Sequence, residues 1–154
     1  MQEVERMTSG EASPEEKSEY VARLFDRIAR RYDLMNTLLS LGADGRWRRR
    51  AVEELKLESG SRVLDVATGT GELVIEIVRR WPCSVEVVGI DVSESMLEVA
   101  REKLRRFERH RVSTARPRVE LVRADAAELP FEDASFDGVI SAFALRNFAS
   151  LPRA

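Results

Sequence analysis

Apolar residues recur along this chain with two different periods, and the switch between them outlines its elements. Val21, Leu24, Phe25, Ile28, Ala29 and Tyr32 fall at steps of three and four, one face of an amphipathic helix. Residues 34–41 continue apolar, residues 42–45 break the pattern, and Trp47, Val52 and Leu55 mark a second helix ending near Lys56. Beyond Ser61 the pattern predicts strands over 62–66, 85–90, 119–123 and 136–143. Between them it predicts helices over 72–80 and 93–107 and a short turn or helix over 126–128. Ser93 stands where it would cap the helix that carries Met96, Leu97, Ala100 and Leu104 on one face. Strands alternating with helices predict an α/β fold on a doubly wound parallel sheet. Residues 1–14 are polar and are expected to form a frayed tail. Residues 15–154 form one domain, with N-terminal helices over 15–57 and the sheet-bearing part over 58–154.

Composition narrows the function classes. A chain of 154 residues that is 44% hydrophobic supports one domain with a real core. Its 25 basic and 27 acidic residues are interspersed, so no global field recruits nucleic acid. The arginine-rich stretches 46–50 and 101–111 alternate with Glu53, Glu54, Glu98, Glu102 and Glu108 at helical spacings, which favours solvated, ion-paired faces over phosphate-binding patches. Cys83 and His110 each stand alone, so disulfides within the chain, zinc and histidine catalysis are poor expectations, and no metal is expected. No apolar run approaches the roughly 20 residues of a membrane span. A cytoplasmic protein, at most peripheral to a membrane, is the expectation.

The most informative stretch is Val63-Leu-Asp-Val-Ala-Thr-Gly-Thr-Gly-Glu-Leu73, where a strand breaks into two close glycines, Gly69 and Gly71, and then into a helix. Asp91 closes the next strand, where a βαβ unit places a carboxylate for ribose hydroxyls. A dinucleotide loop would carry a third glycine where Val74 stands, and a P-loop would end in Gly-Lys-Ser/Thr rather than Gly71-Glu72-Leu73. Asp65 adds an anion near the loop, which would repel phosphates and suit a cationic amino-acid moiety. S-adenosylmethionine (SAM) combines ammonium, sulfonium, ribose and adenine without phosphate and fits this loop; an ordinary strand-turn-helix is the plainer reading. After the third strand, Asp125 can accept from an adenine amino group while the Ala126 N–H meets a ring nitrogen, a role compatible with helix capping. After the fourth, Arg146 and Asn147 sit where open α/β sheets bind ligands, although a capping Asn beside a surface Arg would look the same.

Tyr32-Asp-Leu-Met-Asn36, Ser40, Trp47, Leu64-Asp-Val-Ala-Thr-Gly-Thr-Gly71, Asp91 with Ser93-Glu-Ser-Met96, Ala127-Glu-Leu-Pro-Phe131 and Leu145-Arg-Asn-Phe148 together resemble the ubiquinone and menaquinone biosynthesis C-methyltransferases. The resemblance runs from about Phe25 to Phe148. It implies a Rossmann-like class I fold and SAM-dependent methylation of a ring carbon on a polyprenylated quinol. It also implies cofactor contacts at Thr70, Asp91, Asp125 and Ala126, to which we add Tyr32, Asp65, Gly69, Gly71 and Met96 as candidates. For the chemistry it points to Arg146 stabilising a phenolate, Asn147 orienting the ring or a water, and Asp33 or a water accepting the proton. Leu34, Met35, Leu38, Leu39 and Leu41 form either an interfacial lip against a bilayer or core packing against the sheet.

Three departures from the family pattern stand out. Asp44 replaces a usual histidine in the N-terminal lid, Ala142 replaces a frequent serine, and relatives continue with three more strands beyond the point where this chain stops. A shortened sheet is expected to expose Val139, Ile140 and Phe143 along an unpaired edge and to self-associate, a homo-oligomer being one outcome. A methyltransferase acting on a soluble small molecule, and a non-catalytic SAM-binding fragment that needs a partner, are the competing readings.

Overall fold

The computed structural model describes residues 13–81, 85–110 and 118–143. Cys83, Arg146, Asn147, Phe148 and most of the expected N-terminal tail lie outside these residues. The first helix, α1 (Pro14–Leu39), runs well beyond the apolar face that announces it. It begins in a capping box: Ser13 Oγ accepts from the Glu16 N–H at 3.2 Å, and Glu16 Oε2 accepts from the Ser13 N–H at 2.9 Å. It ends where Leu41 and Gly42 take positive φ and the Gly42 N–H closes onto the Thr37 carbonyl at 2.8 Å. The short helix α2 (Asp44–Glu54) follows.

Beyond it come β1 (Arg62–Val66), α3 (Glu72–Arg80), β2 (Glu86–Asp91), α4 (Glu94–Arg109), β3 (Arg118–Arg123) and β4 (Gly138–Ile140). The four strands are parallel in the order β3-β2-β1-β4, so β1 and β2 lie inside and are nearly continuous in Val, Leu and Ile, as a strand covered on both faces must be. Alternation along each strand divides the core. Val63, Val87 and Ile140 meet Val74, Ile77 and Val78 of α3, with Val52 of α2 and Leu104 of α4 on the same side. Leu64, Val66, Val88 and Ile90 point the other way, onto Phe131 and Phe136 from the segment between β3 and β4. Burying each of these aliphatic side chains contributes about 1.5–3 kcal/mol.

Two expectations are corrected. The fourth strand spans three residues rather than 136–143, because Asp137 is spent on the start of β1 and Phe143 turns away at φ 60°. The Asp137 Oδ2 accepts from the Arg62 N–H at 2.7 Å. Of the three residues expected along an exposed edge, Val139 is 61% exposed and Phe143 40%, but Ile140 is buried in the core beneath β1.

Helix α1 packs chiefly along α4 and reaches the carboxyl ends of the strands, while α2 packs on α3. Leu34, Leu38, Leu39 and Leu41 face solvent rather than the sheet, so among the described residues they do not pack as core. No helix of the described residues is long and apolar enough to cross a membrane.

Candidate cofactor cleft

The loop from β1 to α3 is shaped by backbone that few residues adopt freely. Ala67, Gly69 and Gly71 all have positive φ, at 56°, 55° and 77°. At Gly71 the requirement is doubled: it caps α3 in the left-handed region, and a Cβ there would stand 3.0 Å from the Ala100 Cβ of α4. A Cβ on Gly69 would meet nothing within 4 Å among the described residues, which leaves space above the loop. The Thr68 N–H donates to the Ile90 carbonyl at 2.8 Å and ties the turn to the end of β2.

Asp91 stands at that strand end as expected, and its carboxylate is held by backbone. Oδ2 accepts from the Gly69 N–H at 2.8 Å and Oδ1 from the Ser93 N–H at 2.9 Å. Burial pushes this carboxyl above its ordinary value, opposed by the amides of Ser93, Gly69 and Val92, with the Asp26 charge adding to the upward shift. Each oxygen keeps lone-pair capacity for a ligand hydroxyl.

Asp65 sits differently from the sequence reading. It is fully buried in β1 and does not line the cleft; Oδ2 accepts from Thr68 Oγ1 at 2.6 Å, while Oδ1 has no partner among the described residues. Burial, aided by the Asp91 charge and opposed by the Thr68 hydroxyl, raises this carboxyl to about 7. Its place is under the turn, as the anchor of Thr68, and not as a surface anion facing a cationic ligand.

The cleft itself has two connected ends. One lies between α1 and the loops, with Val21, Phe25 and Met96 as apolar walls and Asp91, Asp125 and Ala126 as polar ones. The other runs past Thr70 toward Asn36 and Arg48. Tyr32, Ala67, Gly69, Ala142 and Phe143 border both. Asp125 Oδ1 accepts from the Ala127 N–H at 2.9 Å, which closes a turn over residues 126–128 rather than capping a helix there, and Oδ2 accepts from Ser18 Oγ at 2.5 Å. Tyr32 is fixed by an edge-to-face contact with Phe25 at 5.7 Å. The cleft thus gathers Tyr32, Gly69, Thr70, Asp91, Met96, Asp125 and Ala126, whereas Gly71 acts beneath it and Arg146 and Asn147 lie outside the described residues.

On the polar side of α1, sequence reasoning singled out Asp33 as a proton acceptor and passed over Ser18 and Asp26. Ser18, Asp26 and Asp33, two helical turns apart, share the face that also presents Val21, Phe25 and Tyr32. Ser18 binds Asp125; Asp26 Oδ1 accepts from Ser93 Oγ at 2.5 Å; Asp33 Oδ1 accepts from Thr70 Oγ1 at 2.5 Å and Oδ2 from Lys103 Nζ at 2.7 Å. Four charge-assisted hydrogen bonds therefore lay α1 across the site. The seven- and eight-residue spacing was visible, but its partners are up to 107 residues away. Asp44 is buried. Its carboxyl is held below its ordinary value despite burial, by the Ser40 hydroxyl, the Arg48 charge and the Gly45 N–H. Arg48 Nη1 lies 2.9 Å from its Oδ2.

With this geometry in view, comparison with known proteins gives a consistent picture. The chain matches the model of the ubiE/COQ5 methyltransferase family over residues 13–154. It is 43% identical over 132 residues to the ubiquinone/menaquinone biosynthesis C-methyltransferase UbiE of Geotalea uraniireducens, a stretch that is 86% of this chain and 54% of that protein. It is 41% identical over 141 residues to the demethylmenaquinone methyltransferase of Symbiobacterium thermophilum, covering 92% of this chain and 54% of that one. The crystal structure of a SAM-dependent methyltransferase from Aquifex aeolicus superposes with a TM-score of 0.55 at 25% identity, over 67% of this chain and 51% of the other. The chain spans about half the length of the curated relatives it matches.

Proposed function

Since this chain belongs to the ubiE/COQ5 methyltransferase family, we propose that it is the cofactor-binding part of an enzyme that methylates a ring carbon of a polyprenylated quinol using SAM. The observation that carries the reading is the Asp91 carboxylate, steadied by the Gly69 and Ser93 amides, at the bend of a two-ended cleft. The residues present fit the cofactor. Asp91 offers acceptors to ribose hydroxyls, Val21, Phe25 and Met96 offer apolar walls to a purine, and Asp125 with Ala126 stands at its rim. The open space above Gly69 leaves room for the ligand to approach the backbone closely.

When bound there, SAM would supply a methyl group on a sulfonium for in-line attack by an electron-rich ring carbon, the new C–C bond forming as the S–CH3 bond breaks, with S-adenosylhomocysteine as the leaving group and the proton of the ring carbon lost to solvent. The chain's own residues hold and align. Helix α1 covers the cleft through Ser18, Asp26 and Asp33, limiting water, and orientation of this kind is worth up to ~7–11 kcal/mol in favourable cases. The quinol hydroxyl must lose its proton for the ring carbon to be nucleophilic. Arg146 is assigned to the developing phenolate charge and Asn147 to the ring or a water. Both oxygens of Asp33 already accept hydrogen bonds, from Thr70 and Lys103, so a water is the better proton acceptor of the two considered. Exposed Leu34, Leu38, Leu39 and Leu41, which follow Tyr32 along the last turns of α1 and just past its end, support capture of a tailed substrate at a bilayer surface.

Calorimetric titration of the full-length protein with SAM, followed by a methylation assay on demethylmenaquinol, tests this. Saturable binding and methyl transfer to the quinol are expected. No heat of binding, or transfer only to untailed soluble acceptors, would refute it.

A further inference from the structure

Helix α1 sorts its charges by side. Asp26 and Asp33 turn inward, where they accept hydrogen bonds from Ser93 and from Thr70 and Lys103. Arg27, Arg30 and Arg31 are exposed, and their guanidinium groups have no hydrogen-bonded or ion-paired partner among the described residues. Earlier in the same helix Arg23 pairs with Glu19, one turn away. Arg27 and Arg31 have no such neighbour: the positions three and four away from each are arginines and apolar residues.

The apolar neighbours are exposed as well. Leu24, Arg27, Arg31, Leu34 and Leu38 follow one another at steps of three and four and so share one face, on which the leucines are 46%, 72% and 71% exposed. On a helix turned to water alone this face would be polar. Arg27, Arg30 and Arg31 also border the groove between α1 and α4, where Arg105 adds a fourth guanidinium without a partner among the described residues. Of the carboxylates bordering that groove, Asp26 is bound to Ser93 and Glu102 lies 3.7 Å from Arg106, which leaves Glu98 to oppose four cations.

Guanidinium groups with spare donors beside exposed leucines call for a partner that is acidic and apolar at once. A nucleic acid answers the arginines and leaves the leucines in water, and an uncharged apolar surface does the reverse. An anionic bilayer answers both. Its phosphates lie at the surface with hydrocarbon just beneath, so leucines can enter the boundary while arginine stems reach back to the headgroups.

We propose that the outward face of α1 docks on an anionic lipid bilayer, with Leu24, Leu34 and Leu38 entering the acyl boundary and Arg27, Arg30 and Arg31 binding headgroup phosphates. The proposal rests on the membrane capture proposed above and deepens it, naming the charge of the lipid and the orientation of the helix. Docked in this way, α1 lies in the plane of the bilayer with its inner face, including Phe25 and Tyr32, still on the cleft.

The test is flotation of the full-length protein with vesicles of phosphatidylcholine alone and of equal parts phosphatidylcholine and phosphatidylglycerol, at low and high salt. Wild type is expected to prefer the anionic vesicles and to leave them as salt is raised. An arginine near an anionic surface is worth about a 5-fold change in partitioning, so the Arg27→Gln, Arg31→Gln pair should weaken binding about 30-fold. The Arg27→Lys, Arg31→Lys pair keeps both charges and should stay within about 3-fold of wild type. Neither pair should shift the melting temperature, since the side chains are exposed. Equal binding of wild type to both vesicles, or anionic binding untouched by the glutamine pair, would overturn the assignment and leave capture by the leucines standing. Equal losses in the lysine and glutamine pairs would overturn it too, because charge would not be what is read. A marked fall in melting temperature in the glutamine pair would show this face to be covered by protein, with the same consequence. Wild type that binds neither vesicle would remove the membrane capture and this assignment together, while methyl transfer to the quinol in detergent would keep the methyltransferase reading.

Discussion

Asp65 makes the pH dependence of stability a direct probe of the interior. Its side chain is fully buried in β1, between Gly89 of β2 and Ile140 of β4, and among the described residues only Thr68 Oγ1 answers it. Burial raises the carboxyl from 3.8 to about 7. The folded chain therefore holds a proton that the unfolded chain has released over this interval. Stability from this group is greatest below the ordinary carboxylate range and is lost as pH rises toward about 7, the reverse of a salt-bridged aspartate. Each pH unit in which the folded and unfolded states differ by a full proton changes stability by about 1.4 kcal/mol. From about pH 5 to about pH 7, with half the protons leaving the folded state near the top, the loss is roughly 2 kcal/mol. Asp65→Asn keeps an acceptor for Thr68, places an amide at the unpartnered position and cannot ionise. Urea unfolding of both proteins, followed by circular dichroism at the two pH values, should show the variant gaining about 2 kcal/mol on the wild type across the interval. Parallel pH profiles for the two proteins would show that Asp65 is ionised in the fold or solvated by water, and the account of the turn given above would fail.

The remaining expectations concern packing, chemistry and the lip. Gly89→Ala would place a Cβ 2.8 Å from Leu121 Cδ2 and 3.0 Å from Thr68 Oγ1. It should cost about 1–3 kcal/mol in thermal melts, whereas Gly45→Ala, which meets nothing within 4 Å, should not destabilise; equal melting of the two variants would contradict the close approach. Arg146→Gln in the full-length enzyme should depress turnover and leave SAM affinity nearly intact, so a fall in affinity with normal turnover would move Arg146 out of the chemistry. Replacing the 71% exposed Leu38 and 80% exposed Leu39 by Glu should reduce cosedimentation with liposomes without lowering the melting temperature. Unchanged membrane association would exclude the lip, and a large stability loss would show that these leucines are covered by protein instead.

How much of this was legible before the fold was known differs from residue to residue. The alternation that becomes β1 and β2, the helical spacing of α3 and α4, the Ser93 cap and the two glycines are local. Each depends on neighbours a few positions away, and the periods of two and 3.6 write them directly into the chain. The place of Asp91 followed from the same logic, because a residue that closes a strand of a parallel sheet arrives at the carboxyl edge wherever that sheet folds. Asp65 shows the limit. Its position two residues before the turn was plain, but whether it faced the ligand or the interior depended on β2 and β4 closing around it. The brace formed by Ser18, Asp26 and Asp33 and the Arg48–Asp44 pair carry no local signature, since a polar residue on a helix serves equally well facing water. Their meaning came from α1 lying across the strand ends. That docking is a sum of distant contacts, Ser18 with Asp125 and Asp33 with Lys103 among them, which no short window of the chain contains and only the packed fold brings within hydrogen-bond reach.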